Sequence, residues 1–196
     1  MLKVAITGNI ASGKSEVQKI LEEKGYKVLD TDRVGHDVLR ESRELKILFA
    51  DYDVFDSSGN FSREKLGALV FSNPDLKLKL ENVSHPLIKD YINAFFEEYK
   101  SEQIVFVAVP LLFEANMQDM FDKIILVYAD DSIRKSRLIK RNNYSNEMAQ
   151  IRIDSQISQD KKKNLCDFII LNNSTSSELK SNVLALLDKI YKIIHE

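Results

Sequence analysis

Gly8-Asn9-Ile10-Ala11-Ser12-Gly13-Lys14-Ser15 is a complete G-x-x-x-x-G-K-[ST] string, and the fold is decided by how it is read. It follows the apolar run Leu2-Lys3-Val4-Ala5-Ile6-Thr7 and opens a stretch with helical spacing. That strand–loop–helix setting gives the string a physical meaning. A glycine-rich turn lets backbone N–H groups converge on a polyphosphate, and the helix behind it presents its positive dipole end to the same anion. Lys14 then reaches the β- and γ-phosphates, and the Ser15 hydroxyl becomes a ligand for Mg²⁺. Average residue frequencies produce such a string in a chain of this length only about 1% of the time. A site for a nucleoside triphosphate is therefore expected.

Outward from the loop, apolar segments alternate with helical patterns. Residues 2–7, 26–29, 104–109, 123–127 and 168–171 read as strands, and their near-continuous hydrophobicity marks strands covered on both faces. Helical stretches between them imply parallel strands with right-handed crossovers. The expected fold is a three-layer α/β/α, five-stranded P-loop NTPase sheet, with ligands at the carboxyl ends of the strands. Its core takes in residues 1–32, 101–129 and 166–196. Residues 33–100 read as a helical insertion, and residues 130–165, rich in Arg, Lys, Asn and Gln, as a helical lid.

Helix boundaries carry their own signals. Asn73-Pro74 supplies an N-cap followed by proline at the first helical position, and Ser84 is expected to cap a further helix beginning at His85-Pro86. Thr175 and Glu178 have the spacing of a capping box. Leu179, Val183, Leu186, Leu187, Ile190 and Ile194 then mark the core-facing stripe of a closing helix.

The 196 residues suit one domain, 44% of them hydrophobic and 30% charged, an ordinary globular composition. A formal charge of −2 gives no basic excess to argue for nucleic acid as a partner. Lys161-Lys162-Lys163 reads as solvated surface. Cys166 is the only cysteine, which forbids an intrachain disulfide and points to the reducing cytoplasm. Its strand-like neighbours suggest a buried, inert thiol. No stretch approaches the ~20 apolar residues that span a bilayer, and residues 2–7 are too short for a signal segment.

A phosphate loop serves switches, motors and kinases alike. The chain lacks the guanine-selecting N-K-x-D segment, and its strongest strand ends in Pro110-Leu111-Leu112-Phe113-Glu114 without the acidic tip usual in motors. An acidic pair instead follows the second strand, as Asp30-Thr31-Asp32. A carboxylate at the end of a strand neighbouring the loop can face the γ-phosphate from the acceptor side and take a hydroxyl proton. Helix capping is the plainer role for both residues. Arg134, Arg137 and Arg141, at i, i+3 and i+7, are expected on one face of a helix, where guanidinium forks suit phosphoryl oxygens; a solvated basic face is the alternative.

Across nearly its whole length the chain resembles the dephospho-coenzyme A kinases. The resemblance is carried by Thr7 to Ser15, Leu29-Asp30-Thr31-Asp32, Arg63-Glu64-Lys65-Leu66 with Val70-Phe71, and Leu80 to Ile88. It continues in Val109-Pro110-Leu111-Leu112-Phe113-Glu114, Phe121-Asp122, Arg137 with Arg141, Arg152-Ile153 with Gln156, and Asp167 to Ile170 with Asn172. The resemblance implies ATP-dependent phosphorylation of the ribose 3′-hydroxyl of dephospho-CoA, with Asp32 as base and Lys14 and Arg137 stabilising the transferred group. It makes Gly8 and Ala11 to Glu16 (Ala11, Ser12, Gly13, Lys14, Ser15, Glu16) the ATP-binding residues, with Mg²⁺ on Ser15. Thr7, Asp32, Arg63, His85 and Glu114 become substrate contacts, and residues 33–100 the coenzyme A-binding region. His85-Pro86 and Glu114 read equally as structural residues, and His36 as helix surface. The family commonly shows Gly-Gly-Ile-Gly where this chain has Gly8-Asn9-Ile10-Ala11, changes at variable positions expected to affect nothing essential. It often has Gln where this chain has Arg134, which touches the lid contacts and not the reaction. Another small-metabolite or nucleoside kinase, and a non-catalytic ATP-binding switch, are the remaining alternatives.

Overall fold

Val4, Ile6, Val105, Phe106, Val107, Ile125, Leu126 and Val127 are all excluded from solvent, although consecutive strand residues face opposite ways. Only a sheet covered on both faces buries such runs. The computed structural model describes residues 1–195. In chain order they form β1 (Leu2–Thr7), α1 (Lys14–Glu23), β2 (Lys27–Asp30), α2 (Thr31–Glu41), α3 (Arg43–Leu48), α4 (Arg63–Ser72) and α5 (Pro74–Glu98). β3 (Ile104–Ala108), β4 (Lys123–Tyr128), α6 (Asp131–Asn142), α7 (Asn146–Asp154), α8 (Gln159–Lys163), β5 (Phe168–Leu171) and α9 (Ser176–His195) follow.

The five strands pair in parallel in the order β2-β3-β1-β4-β5. β1 lies at the centre, with Ile6 opposite Ala108 on one side and Ile125 on the other. All five strands stand within two residues of their expected bounds. The expectation that β2 neighbours the loop-bearing strand is corrected: β3 lies between them, so β2 is two inter-strand steps from β1, roughly 10 Å. A crossover of more than seventy residues separates β2 from β3, and sequence order does not reveal which strand such a connection sets beside β1.

Two compact units emerge, residues 31–95 and the remainder. In the sheet-bearing unit, Val17, Ile20 and Leu21 of α1 and Leu179, Val183, Leu186, Leu187 and Ile190 of α9 close on Val4, Ile6, Phe106 and Ile125. The α9 stripe is core as expected, with Ile194 packed at its margin. Thr175 caps α9 by accepting from Glu178 N at 3.3 Å. Cys166 is partly covered, and burial pushes its thiol from 9.0 up to about 11, so it stays protonated and inert at neutral pH.

In the unit of residues 31–95, Ser42 and Ser62 cap α3 and α4 by accepting from Leu45 N and Lys65 N. Phe49 is fully buried, with the Tyr52 and Phe61 rings edge-on to it. Asn73 caps α5 as expected, its Oδ1 accepting from Leu76 N at 3.1 Å. The expected break at Ser84 does not occur: α5 runs unbroken from Pro74 to Glu98 with Pro86 inside it. Proline removes a single backbone donor, and a helix of 25 residues has enough other hydrogen bonds and packing to continue past it. Among the described residues no helix is long and apolar enough to cross a membrane.

Candidate active site

β1 ends at Thr7, whose buried Oγ1 donates to Pro110 O at 3.3 Å. The chain then turns tightly, with Ser12 N donating to Asn9 O at 3.0 Å. Gly8 is required by close approach: a Cβ there would stand 2.5 Å from Ser12 Oγ and 2.8 Å from Val127 O. Gly13 is required by conformation and space together, since its φ is +98° and a Cβ would overlap the Asn172 amide. Ala11 also sits in the left-handed region, at φ +62°, where a side chain is strained. The carbonyl of Gly13 receives Glu16 N at 3.0 Å and Val17 N at 3.2 Å, which starts α1.

At this helix start Lys14 is buried while Ser15 and Glu16 are exposed. Glu16 accepts from Ser176 Oγ at 3.4 Å, a contact with the start of α9. Ser12 Oγ is buried and makes no hydrogen bond.

The loop is held from behind. Arg137 Nη1 donates to Ala11 O at 3.2 Å and Ser12 O at 3.4 Å. Its Nη2 donates to Asn172 O at 3.0 Å and Asn172 Oδ1 at 3.3 Å, and Asn172 Nδ2 donates to Ser12 O at 2.7 Å. The carbonyls of Ala11 and Ser12 are thereby engaged by side chains from outside the loop. The guanidinium also fixes a positive charge directly behind the turn.

The three arginines of α6 do not act as one basic face. Arg134 is only 1% exposed, paired with Asp131 at 2.6 Å and donating to Ile10 O at 3.4 Å. Gln159 Nε2 also donates to Asp131, at 3.1 Å, and to Ala129 O at 2.8 Å. Arg141 is exposed and donates to Asn142 Oδ1 at 2.9 Å. At i, i+3 and i+7 the three share a face about 60° wide, but Arg141 stands about 10 Å further along the helix axis than Arg134, so packing that buries one end of the row leaves the other in water.

The expectation of a solvated Lys161-Lys162-Lys163 run is also corrected. Lys161 is exposed, but Lys162 is fully buried, its Nζ 2.9 Å from Glu114 Oε1. Three consecutive residues of one helical turn cannot all face water when the helix packs on a sheet. Glu114 Oε1 also accepts from Ile157 N at 3.3 Å, while its Oε2 is buried with no hydrogen bond. Asn9, Gln159 and Lys162 carry contacts that no sequence signal announced.

Asp32, Arg63 and His85 belong to the other unit. Asp32 is exposed in the first turn of α2, directly after β2. Arg63 opens α4 and donates from Nη2 to His36 Nδ1 at 2.7 Å, both side chains exposed. That contact requires a neutral His36 with its proton on Nε2. His85 lies within α5, half-buried; burial lowers its pKa from 6.5, opposed by Glu81 and reinforced by Lys89 and Lys77.

Thr7, Gly8, Ala11, Ser12, Gly13, Lys14, Ser15, Glu16, Glu114 and Arg137 thus share the sheet-bearing unit. The turn from Gly8 to Gly13 lies at the carboxyl end of β1, with the Arg137 guanidinium donating to its carbonyls. The family model for dephospho-CoA kinase matches residues 2–178. A dephospho-CoA kinase of Staphylococcus saprophyticus is 38% identical over 189 residues, covering 94% of this chain and 91% of the relative. A solved structure from Thermus thermophilus superposes with a TM-score of 0.82 at 31% identity, covering 96% of this chain and 97% of the other. The dephospho-CoA kinase from Campylobacter jejuni superposes at 0.74 with 30% identity, covering 97% of each.

Proposed function

This chain belongs to the dephospho-CoA kinase family and phosphorylates the ribose 3′-hydroxyl of dephospho-CoA from ATP, and within that reaction we propose which residues do what. Asp32 is the general base. The observation that carries this reading is the phosphate loop at the carboxyl end of β1, its carbonyls turned outward onto Arg137 and Asn172. The strands are parallel, so β2 and β1 have their carboxyl ends at the same end of the sheet, and Asp32 follows β2 by two residues in the chain. The 3′-oxygen bonds to the γ-phosphorus as its proton passes to Asp32, and the bridging oxygen leaves with ADP.

Gly8 and the residues from Ala11 to Glu16 bind ATP, and Lys14 and Arg137 offset the charge spread over the equatorial oxygens. Thr7, Arg63 and His85 contact dephospho-CoA, together with Glu114 through Oε2. The unit of residues 31–95 receives the coenzyme, and α6 to α8 form the lid. Mg²⁺ fits the donor set on the loop: it keeps most of its water and needs only one or two protein oxygens beside the phosphates, a need the exposed Ser15 hydroxyl can meet. Bound there, the ion would neutralise phosphate charge. The reducing cytoplasm suits a chain with a single, inert thiol.

A coupled assay of ADP release tests the acceptor. Dephospho-CoA should support turnover, and nucleosides, nucleoside monophosphates and shikimate should not. Equal turnover with one of those would make the chain a kinase of another metabolite, and nucleotide binding without acceptor-dependent ADP release would make it a switch.

A further inference from the structure

Lys162 is a fully buried cation far along the chain from the loop, and the reaction as derived gives it nothing to do. Its contacts lead back to the loop. Lys162 Nζ meets Glu114 Oε1 at 2.9 Å, and the same oxygen accepts from Ile157 N at 3.3 Å. The carbonyl of Ile157 accepts from Asn9 Nδ2 at 2.8 Å. Beside it, Gln156 Oε1 accepts from Ile10 N at 2.8 Å. The peptide segment 156–157 is therefore gripped on one side by a buried ion pair and on the other by the first two variable residues of the loop.

We propose that Asn9 is a positioning residue, the loop end of a relay from the Lys162–Glu114 pair through Ile157 that sets the loop for nucleotide. Three features support this. Asn9 is only 3% exposed, so its amide cannot exchange this contact for water. Its Oδ1 is buried with no hydrogen bond, which leaves the Ile157 carbonyl as the side chain's one partner among the described residues and makes that single bond decisive. Finally, Glu114 shares one oxygen between Ile157 and Lys162, so removing the cation loosens the carboxylate that holds Ile157 N. The links are in series. Breaking either end loosens the same segment, while Gln156 keeps its contact with Ile10 N.

The relay requires only that the loop holds a nucleotide, and wild-type ADP binding in the same titrations tests that separately. ADP is titrated calorimetrically into the full-length protein, Asn9→Gly, Lys162→Met and the double variant. Each single change should weaken ADP binding about fivefold to tenfold, and the double variant no more than the weaker single, because serial links are coupled. Unchanged affinity in Asn9→Gly, or a double effect equal to the product of the singles, overturns the relay. A second measurement needs no change at Lys162. ADP should slow amide exchange at residues 156–159 of the wild type, and that slowing should be lost in Asn9→Gly. Equal slowing in both proteins overturns the proposal.

Discussion

Arg137 and Asn172 are 35 residues apart in sequence, yet they join through two hydrogen bonds of 3.0 and 3.3 Å to Arg137 Nη2. Asn172 passes the connection on to Ser12 O at 2.7 Å, while Arg137 Nη1 reaches Ala11 O at 3.2 Å. One planar fork and one amide thus fix the outward carbonyls of the turn. The shape of the phosphate site depends on side chains from α6 and from beyond β5 as much as on its own glycines.

Arg137→Lys keeps the charge but cannot span both loop carbonyls and Asn172. Turnover should fall roughly 10²-fold, the scale of losing one positioned donor, and more than KM for ATP rises. Steady-state kinetics decides: a change in KM alone would confine Arg137 to bracing the loop.

Asp32→Asn keeps the shape of the side chain and removes its basicity. The expected loss in kcat is about 10²–10⁴-fold, with ADP affinity kept within a few fold. Wild-type turnover in this variant would remove Asp32 from the mechanism.

Gly13→Ala sets a methyl against the Asn172 amide at φ +98°. The cost should be about 2–3 kcal/mol of stability in urea unfolding, with ADP affinity down by at least roughly tenfold. An alanine variant as stable as wild type would mean that the turn relaxes freely.

Lys162→Met leaves the Glu114 carboxylate without its cation. Unfolding experiments should show a loss of about 3–5 kcal/mol, and adding Glu114→Gln should recover most of it, because no uncompensated charge then remains. No recovery in the paired variant would assign the loss to packing instead.

His85 should titrate below 6.5, since burial disfavours its charged form and the opposing pull of Glu81 is smaller. The unfolded chain then takes up a proton before the folded one does, so this group's contribution to stability is complete above 6.5 and lost as pH falls through the lowered value. Imidazole resonances followed by NMR check the midpoint, and His85→Gln should flatten that part of the stability profile. At neutral pH His85 is uncharged.

The phosphate loop, the five strands and the closing helix are legible in the chain, because each rests on local rules. Gly8 and Gly13 answer to turn geometry, continuous apolar runs to two-sided burial, and the Leu179–Ile190 stripe to helical period. Family resemblance also singled out Gln156 and Asn172, without their contacts. Packing alone sets β3 between β2 and β1, carries α5 through Pro86, and buries Arg134 and Lys162 while leaving Arg141 exposed. It also gave meaning to Asn9 and Ala11, two positions that read as free variation: one tethers the loop to Ile157, and the other holds a strained turn. The physical reason is common to all of these. Charge, capping propensity and spacing are properties of a residue and its neighbours in the chain, whereas burial and partnership are set by segments brought together from elsewhere, for the loop from more than a hundred residues away.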